Sequence, residues 1–279
     1  MDKNIQKTFI VGDKWIYYKI YCGVKTADTI LLDVIKPFTD KLLEKNTIDK
    51  WFFIRYSDPE PHLRVRFLVK DLKDIGTILV KFHKIIAPFV KRKQIWNVQL
   101  ASYQRELERY GANTIEESET VFFYDSEQIL TIIQNSENDE ERFLNLFNWL
   151  ENLLSAFKFK DENVLSFLDS MQEQFKNEFK VDKRAKKELS TKYRKLEPLL
   201  LNANNTLLID KNNLAAILER FLMLNKKQKL NISLNNLLAS FIHMTINRCF
   251  RSKQRLYEMM LYDFLYRKNK SKFIRYGYN

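Results

Sequence analysis

The sequence predicts an α+β fold: an N-terminal ferredoxin-like βαββαβ unit followed by a mainly α-helical C-terminal half. Three observations predict it. Within the first 102 residues, runs rich in aromatic and branched side chains alternate with stretches whose apolar residues recur every three or four positions. From residue 125 onward the apolar period is helical almost throughout. Gly and Pro number five each, 5 + 5 = 10 of 279 residues, too few for a collagen-like or many-turned all-β chain.

The elements follow in order. Trp15–Cys22 (WIYYKIYC) has the aromatic and Ile content of a strand. Ile30, Leu31, Val34, Ile35, Phe38, Leu42 and Leu43 then mark the buried stripe of a helix. Trp51–Tyr56 (WFFIRY) is a second strand. Ser57-Asp58-Pro59-Glu60-Pro61 is a turn, because two prolines break any ladder and Asp initiates turns. His62–Val69 (HLRVRFLV) alternates as a half-buried strand does. Leu72, Ile75, Leu79, Val80, Phe82, Ile85 and Ile86 form a second helical stripe, and residues 94–102 make a fourth strand. The order is that of the split βαβ arrangement. Asp125-Ser126-Glu127 reads as a helix start, a capping side chain followed by acids that face the dipole. Helical patterns cover 138–158, 162–179, 184–200, 211–225, 231–250 and 252–267, with Asp210 and Asn231 as caps and 201–210 as a loop. No solenoid repeat and no long linker interrupts the chain. One domain over 1–279 is expected, with an α+β subregion 1–124 and a helical subregion 125–279.

The net charge is 47 − 35 = +12. Residues 244–279 hold nine Lys/Arg and two acids, a net of +7. That segment fits a solvated basic tail as well as a docking patch for nucleic acid, membrane or an acidic peptide, and no nucleic-acid motif accompanies it. No apolar run reaches the ~18 residues of a membrane span. The N-terminal MDKNIQKTF lacks the apolar core of a signal peptide, so a cytoplasmic location is expected. Cys22 and Cys249 cannot build a disulfide framework or a zinc site.

Three places have chemical potential. The period of the strand HLRVRFLV sends Leu63, Val65, Phe67 and Val69 to one face and His62, Arg64 and Arg66 to the other. Two guanidiniums in one row form a site for carboxylates, although an ordinary charged outer face has the same pattern. In Tyr103–Gly111 (YQRELERYG), Glu106 and Arg109 share a face if the segment is a helical turn, as in many surface ion pairs. Gly111 suits a C-cap or a left-handed turn. His243 lies with Asn236, Ser240 and Asn247 on a narrow polar strip of an otherwise apolar helix. An imidazole there suits proton transfer, or a structural hydrogen bond. There is no GxGxxG, P-loop, HExxH, GxSxG or CxxC, and no close acid–histidine cluster. No cofactor and no metal is therefore expected. What remains is acid–base chemistry with arginines stabilising anions.

These segments resemble a known family. Trp51–Phe67 (WFFIRYSDPEPHLRVRF) is similar to the signature segment of the C-terminal elimination domain of class I lantibiotic dehydratases, a domain that also occurs free-standing in thiopeptide and related bacteriocin systems. YQRELERYG (103–111) resembles the family's second motif. SFIHMTINRCF (240–250) with YDFLYR (262–267) resembles its C-terminal motif. The three segments spread over residues 51–267. Ala112 departs from the pattern, which has a second glycine after Tyr110-Gly111.

The resemblance implies a lyase that removes glutamate from glutamylated Ser or Thr of a ribosomal precursor peptide, leaving dehydroalanine or dehydrobutyrine. It implies Arg64 and Arg66 as the paired arginines, Glu106 and Arg109 as the acid and arginine of the second motif, and His243 as the histidine of the third. Arg55, His62 and Tyr110 beside them are expected to contact substrate. The chain is too short for the large glutamylating domain, so it is expected to be the elimination half of a split enzyme. A glutamyl-tRNA-dependent partner would glutamylate the peptide, with no direct need of tRNA here. Oligomeric state stays open, a homodimer included. Two other readings are a pyridine-forming [4+2] cycloaddition enzyme of thiopeptide type and a non-catalytic peptide-binding subunit.

Overall fold

In the computed structural model, which describes residues 5–158, 161–202 and 211–276, the chain begins with β1 (Thr8–Phe9) and β2 (Trp15–Cys22). A continuous helical rod follows: α1 (Val24–Ile30), a π-helical turn (Leu31–Ile35) and α2 (Lys36–Glu44). Then come β3 (Ile48–Tyr56), β4 (His62–Val69), α3 (Ile75–Lys91), β5 (Ile95–Leu100), β6 (Tyr103–Gln104) and the single turn α4 (Leu107–Tyr110). The rest is helical: α5 (Ile115–Gln134), α6 (Asp139–Ala156), α7 (Asp161–Glu178), α8 (Lys183–Asn202), α9 (Lys211–Lys226), α10 (Leu234–Cys249) and α11 (Gln254–Tyr276).

The main sheet has the order β3-β4-β2-β5, and every neighbouring pair is antiparallel. That is the ferredoxin-like arrangement the alternation of elements predicts. Its two faces differ as the period of β4 requires. Leu63, Val65 and Phe67 are fully buried, and the Phe67 ring meets Phe38 of α2 and Phe82 of α3. Each such side chain contributes about 1.5–3 kcal/mol of burial. On the other face the register sets Arg66 between Tyr17 and Phe52, Arg64 between Lys19 and Ile54, and His62 between Tyr21 and Tyr56. Directly opposed residues share a face, so this second face carries the cations.

The outer edge of β3 is closed by side chains instead of another strand. The Asn247 amide accepts from the Arg55 N–H and donates to the Arg55 carbonyl, each at 3.0 Å. Arg248 Nε donates to the Phe53 carbonyl at 2.7 Å, and Ser126 Oγ accepts from the Phe53 N–H. Helices α5 and α10 are thereby keyed to the strand. An open edge would otherwise leave these groups unpaired.

Several boundaries differ from expectation. The two-residue strands β1 and β6 pair with each other and are too short for any period to reveal. Helix α5 begins at Ile115 instead of Asp125, so the subregion boundary expected at 124/125 falls inside it. Asp125 imitates a cap in the sequence, but it is buried and accepts from Trp149, Thr245 and Arg248. Helix α10 starts at Leu234, capped by Ser233, whose side chain accepts from the Asn236 N–H. Asn231, the expected cap, instead accepts from the Asn113 N–H. Helix α8 takes in residues 201 and 202 of the expected loop; the rest of that loop and Asp210 lie outside the described residues. The described part of the basic C-terminal segment runs from the end of α10 through α11, and Arg248, Arg251, Arg255, Arg267 and Lys268 are all ion-paired. Among the described residues no helix is long and apolar enough to cross a membrane.

Candidate active site

Arg66 sits on the cationic face of the sheet, 7% exposed. Its guanidinium lies over Tyr17 at 4.2 Å, Tyr103 at 4.8 Å and Phe52 at 5.1 Å from the ring centres. It makes no ion pair among the described residues, and its Nε has no hydrogen-bond partner. Burial disfavours the charged form and lowers its pKa, while the neighbouring Tyr17 and Tyr103 oppose the shift. Cation–π contacts return about 2 kcal/mol when desolvated, less than the several kcal/mol that burying an ion costs. A buried guanidinium without an ion pair would gain from an anion brought beside it.

Arg64, one step along the row, stacks on the Tyr56 ring at 3.4 Å and donates from Nε to His62 Nε2 at 3.1 Å. His62 Nδ1 donates to the Glu60 carbonyl at 2.8 Å. These two bonds require the neutral Nδ1–H tautomer. Burial lowers the His62 pKa, and the Arg64 and Lys19 charges lower it further against the Glu60 bond, so the neutral form is favoured. His62 therefore orients Arg64.

Two hollows lie side by side along β3 and α10. The narrower, about 40 Å³, is lined by Arg66, Glu106, Tyr110, Tyr103, Ile54 and Met244. The wider, ≈ 530 Å³, is lined by His243, His62, Arg55, Asn247, Arg251 and Arg255, among others. Chain neighbours divide between them: Ile54 and Met244 face the first, Arg55 and His243 the second. The narrower hollow thus draws residues from all three segments, while His243 lines the wider one.

The expected residues do not all stand alike. Glu106 and Arg109 pair at 3.4 Å with side chains 63% and 42% exposed, and Arg109 lines neither hollow. Tyr110 is buried, its ring stacked on Phe241, and burial raises its pKa. Gly111 ends α4 at φ +75°, where a Cβ would come 2.8 Å from Thr114 Oγ1, so glycine is required. Ala112 has no left-handed backbone, which removes the need for a second glycine. Arg55 projects to the opposite face from Arg64 and Arg66. It is 6% exposed, paired with Asp28, and donates from Nε to the Arg248 carbonyl at 2.8 Å.

His243 donates from Nδ1 to Glu258 Oε2 at 3.0 Å, and the same oxygen accepts from Arg255 Nη1 at 2.9 Å. Glu258 is 2% exposed. Periodicity does not single out Glu258, which lies on the next helix. Its only signal is an acid inside the apolar run Leu256–Leu261. Asn247 and Arg248, quoted within the third motif, close the β3 edge. Arg105 of the second motif is buried against Glu119 at 2.7 and 2.6 Å. Among the described residues no three His, Cys, Asp or Glu stand together as metal ligands.

The family model for the lantibiotic biosynthesis dehydratase C-terminal region matches residues 15–268. The chain belongs to this family. The match takes in β2 through most of α11, and with it all three motif segments. The nisin biosynthesis protein NisB of Lactococcus lactis subsp. lactis is 32% identical over 164 residues, 56% of this chain and 16% of NisB. The tRNA-dependent lantibiotic dehydratase MibB from Microbispora sp. 107891 superposes with a TM-score of 0.69 at 21% identity, covering 95% of this chain and 29% of MibB. The pyridine synthase TbtD from thiomuracin biosynthesis superposes with a TM-score of 0.60 at 10% identity, covering 93% of this chain and 100% of TbtD. This lantibiotic dehydratase C-terminal domain thus spans less than a third of NisB or MibB, and the whole length of TbtD.

Proposed function

We propose that the chain eliminates glutamate from glutamylated Ser or Thr of a ribosomal precursor peptide. The glutamyl ester is supplied by a glutamyl-tRNA-dependent activity, in a split system by a partner protein. The observation that carries this reading is Arg66, a buried guanidinium with no counter-ion beside a hollow that Glu106 and Tyr110 also line. A departing glutamate supplies the missing carboxylate.

The reaction removes the Cα proton of the esterified residue. The electron pair passes through the adjacent amide enolate to form the Cα=Cβ bond, the Cβ–O bond breaks, and glutamate leaves as a carboxylate. His243 Nε2, which makes no hydrogen bond among the described residues while Nδ1 is engaged, takes the proton in the wider hollow. A base working near neutral pH contributes roughly 10²–10⁴-fold. Arg66 holds the carboxylate in the narrower hollow. Arg64, oriented by His62, holds a second charge in the same row, and Arg109 with Glu106 closes the rim. Mass spectrometry tests the reading: purified chain given a glutamylated peptide should release one glutamate per modified residue. Unchanged peptide would overturn it.

A pyridine-forming cycloaddition is the second reading, favoured by the full-length match to TbtD. It releases no carboxylate and so leaves Arg66 without its partner. Ring formation with loss of the leader peptide, instead of glutamate loss, would replace the first reading by this one.

A further inference from the structure

The polar strip of α10 offers His243 to the wider hollow, but a bare imidazole on a helix has two equivalent ways to carry its proton. We infer that Glu258 is the positioning residue of His243, selecting the Nδ1–H tautomer so that Nε2 is the atom presented to substrate. This deepens the proposed function, since it assumes His243 as the proton-transfer group.

Three observations support it. Glu258 Oε2 lies 3.0 Å from His243 Nδ1, and its carboxylate is almost wholly buried. A buried carboxylate is acceptor-only, so the nitrogen it faces is the protonated one. The carboxylate is itself fixed: Arg255 Nη1 binds the same oxygen, and Arg255 is anchored in turn on Glu178 at the end of α7. A chain of Glu178, Arg255, Glu258 and His243 therefore runs from α7 through α11 to α10. The other charged and titratable groups around the ring's hollow are Cys22, Arg55, Tyr56, Asp58, His62, Arg251 and Lys253. None of them is hydrogen-bonded to His243. Glu258 also explains an oddity of sequence, an acid within the apolar start of α11.

The chain contains three histidines, at 62, 83 and 243, so ¹⁵N-histidine spectra are tractable, with His243→Asn to assign the signal. At a pH where the ring is neutral, the wild-type His243 should show a protonated Nδ1 and an unprotonated Nε2. Glu258→Leu, similar in size and without an acceptor, should populate the Nε2–H form. Glu258→Gln, whose amide oxygen fits the same place, should keep the wild-type pattern. For loss of glutamate, kcat should fall roughly 10–100-fold in Glu258→Leu, the scale on which partners that orient histidines act. KM should stay within about twofold, and Glu258→Gln should recover most of the loss. Wild-type His243 protonated on Nε2, or a tautomer unchanged in Glu258→Leu, would overturn the inference. If the tautomers behave as expected but wild-type chain releases no glutamate, the elimination reading fails and the role of Glu258 stands.

Discussion

Arg55 and Arg66 lie on adjacent strands, are equally buried, and face opposite sides of one sheet. Arg55 shares Asp28 with Arg142 and Arg251, a knot of three guanidiniums on one carboxylate that ties α1, β3, α6 and the approach to α11 together. Arg66 has aromatic rings around it and, among the described residues, no ion pair; Glu106, which lines the same hollow, is paired with Arg109 instead. The difference teaches that burial of a cation does not reveal its duty; the presence or absence of its counter-charge does. A paired buried arginine holds the fold; an unpaired one fits the anion-binding role proposed for Arg66.

The comparison can be broken or sharpened by substitution. His243→Ala, the reference for loss of chemistry, should slow glutamate release by about 10²–10⁴-fold with an unchanged melting curve, measured by mass spectrometry and calorimetry. Arg66→Gln should cost about 10²–10³-fold in rate and leave stability equal or higher, since a desolvated unpaired charge is removed. If Arg66→Gln unfolds the chain, the contrast collapses. Arg55→Gln should do the reverse, losing about 3–5 kcal/mol of unfolding free energy in denaturant titration.

Acid titration sharpens the contrast further. Burial pushes the Asp28 carboxyl upward, but Arg55, Arg142 and Arg251 outweigh it and hold it below its usual value. Its contribution to stability is then full above the unfolded value of ~3.9 and is lost as pH falls through the lower folded value. Asp28→Asn should flatten that acid limb, whereas Arg66→Gln should leave it unchanged. The smallest effect on folding belongs to Arg109→Ala. Its exposed pair with Glu106 is worth under ~1 kcal/mol, so glutamylated peptide should accumulate in a chain that melts normally.

Much of this is legible in the sequence. The alternation of HLRVRFLV assigns Arg64 and Arg66 to one face and the core residues to the other, as the register shows. The strip of His243 also reads correctly, because a helical period is local. What failed was non-local. Asp125 has the spacing of a cap, and only its contacts with Trp149, Thr245 and Arg248 show it to be a buried hub. Arg55 sits within the same signature as Arg66, and its partner Asp28 lies 27 positions upstream. Glu258 answers His243 from another helix. Periodicity states which side a residue faces, never which distant residue meets it there.

The amide of Asn247 gives the strand edge what a neighbouring peptide would give. Four positions earlier on the same helix stands the imidazole. Sliding or rotating that helix would therefore break the bonds that hold the strand edge, and the imidazole inherits the rigidity of a β-ladder while mounted on a helix. The spacing of His243 from the cationic row is thus set at a seam, and a single Asn247→Ala replacement should loosen it without touching either.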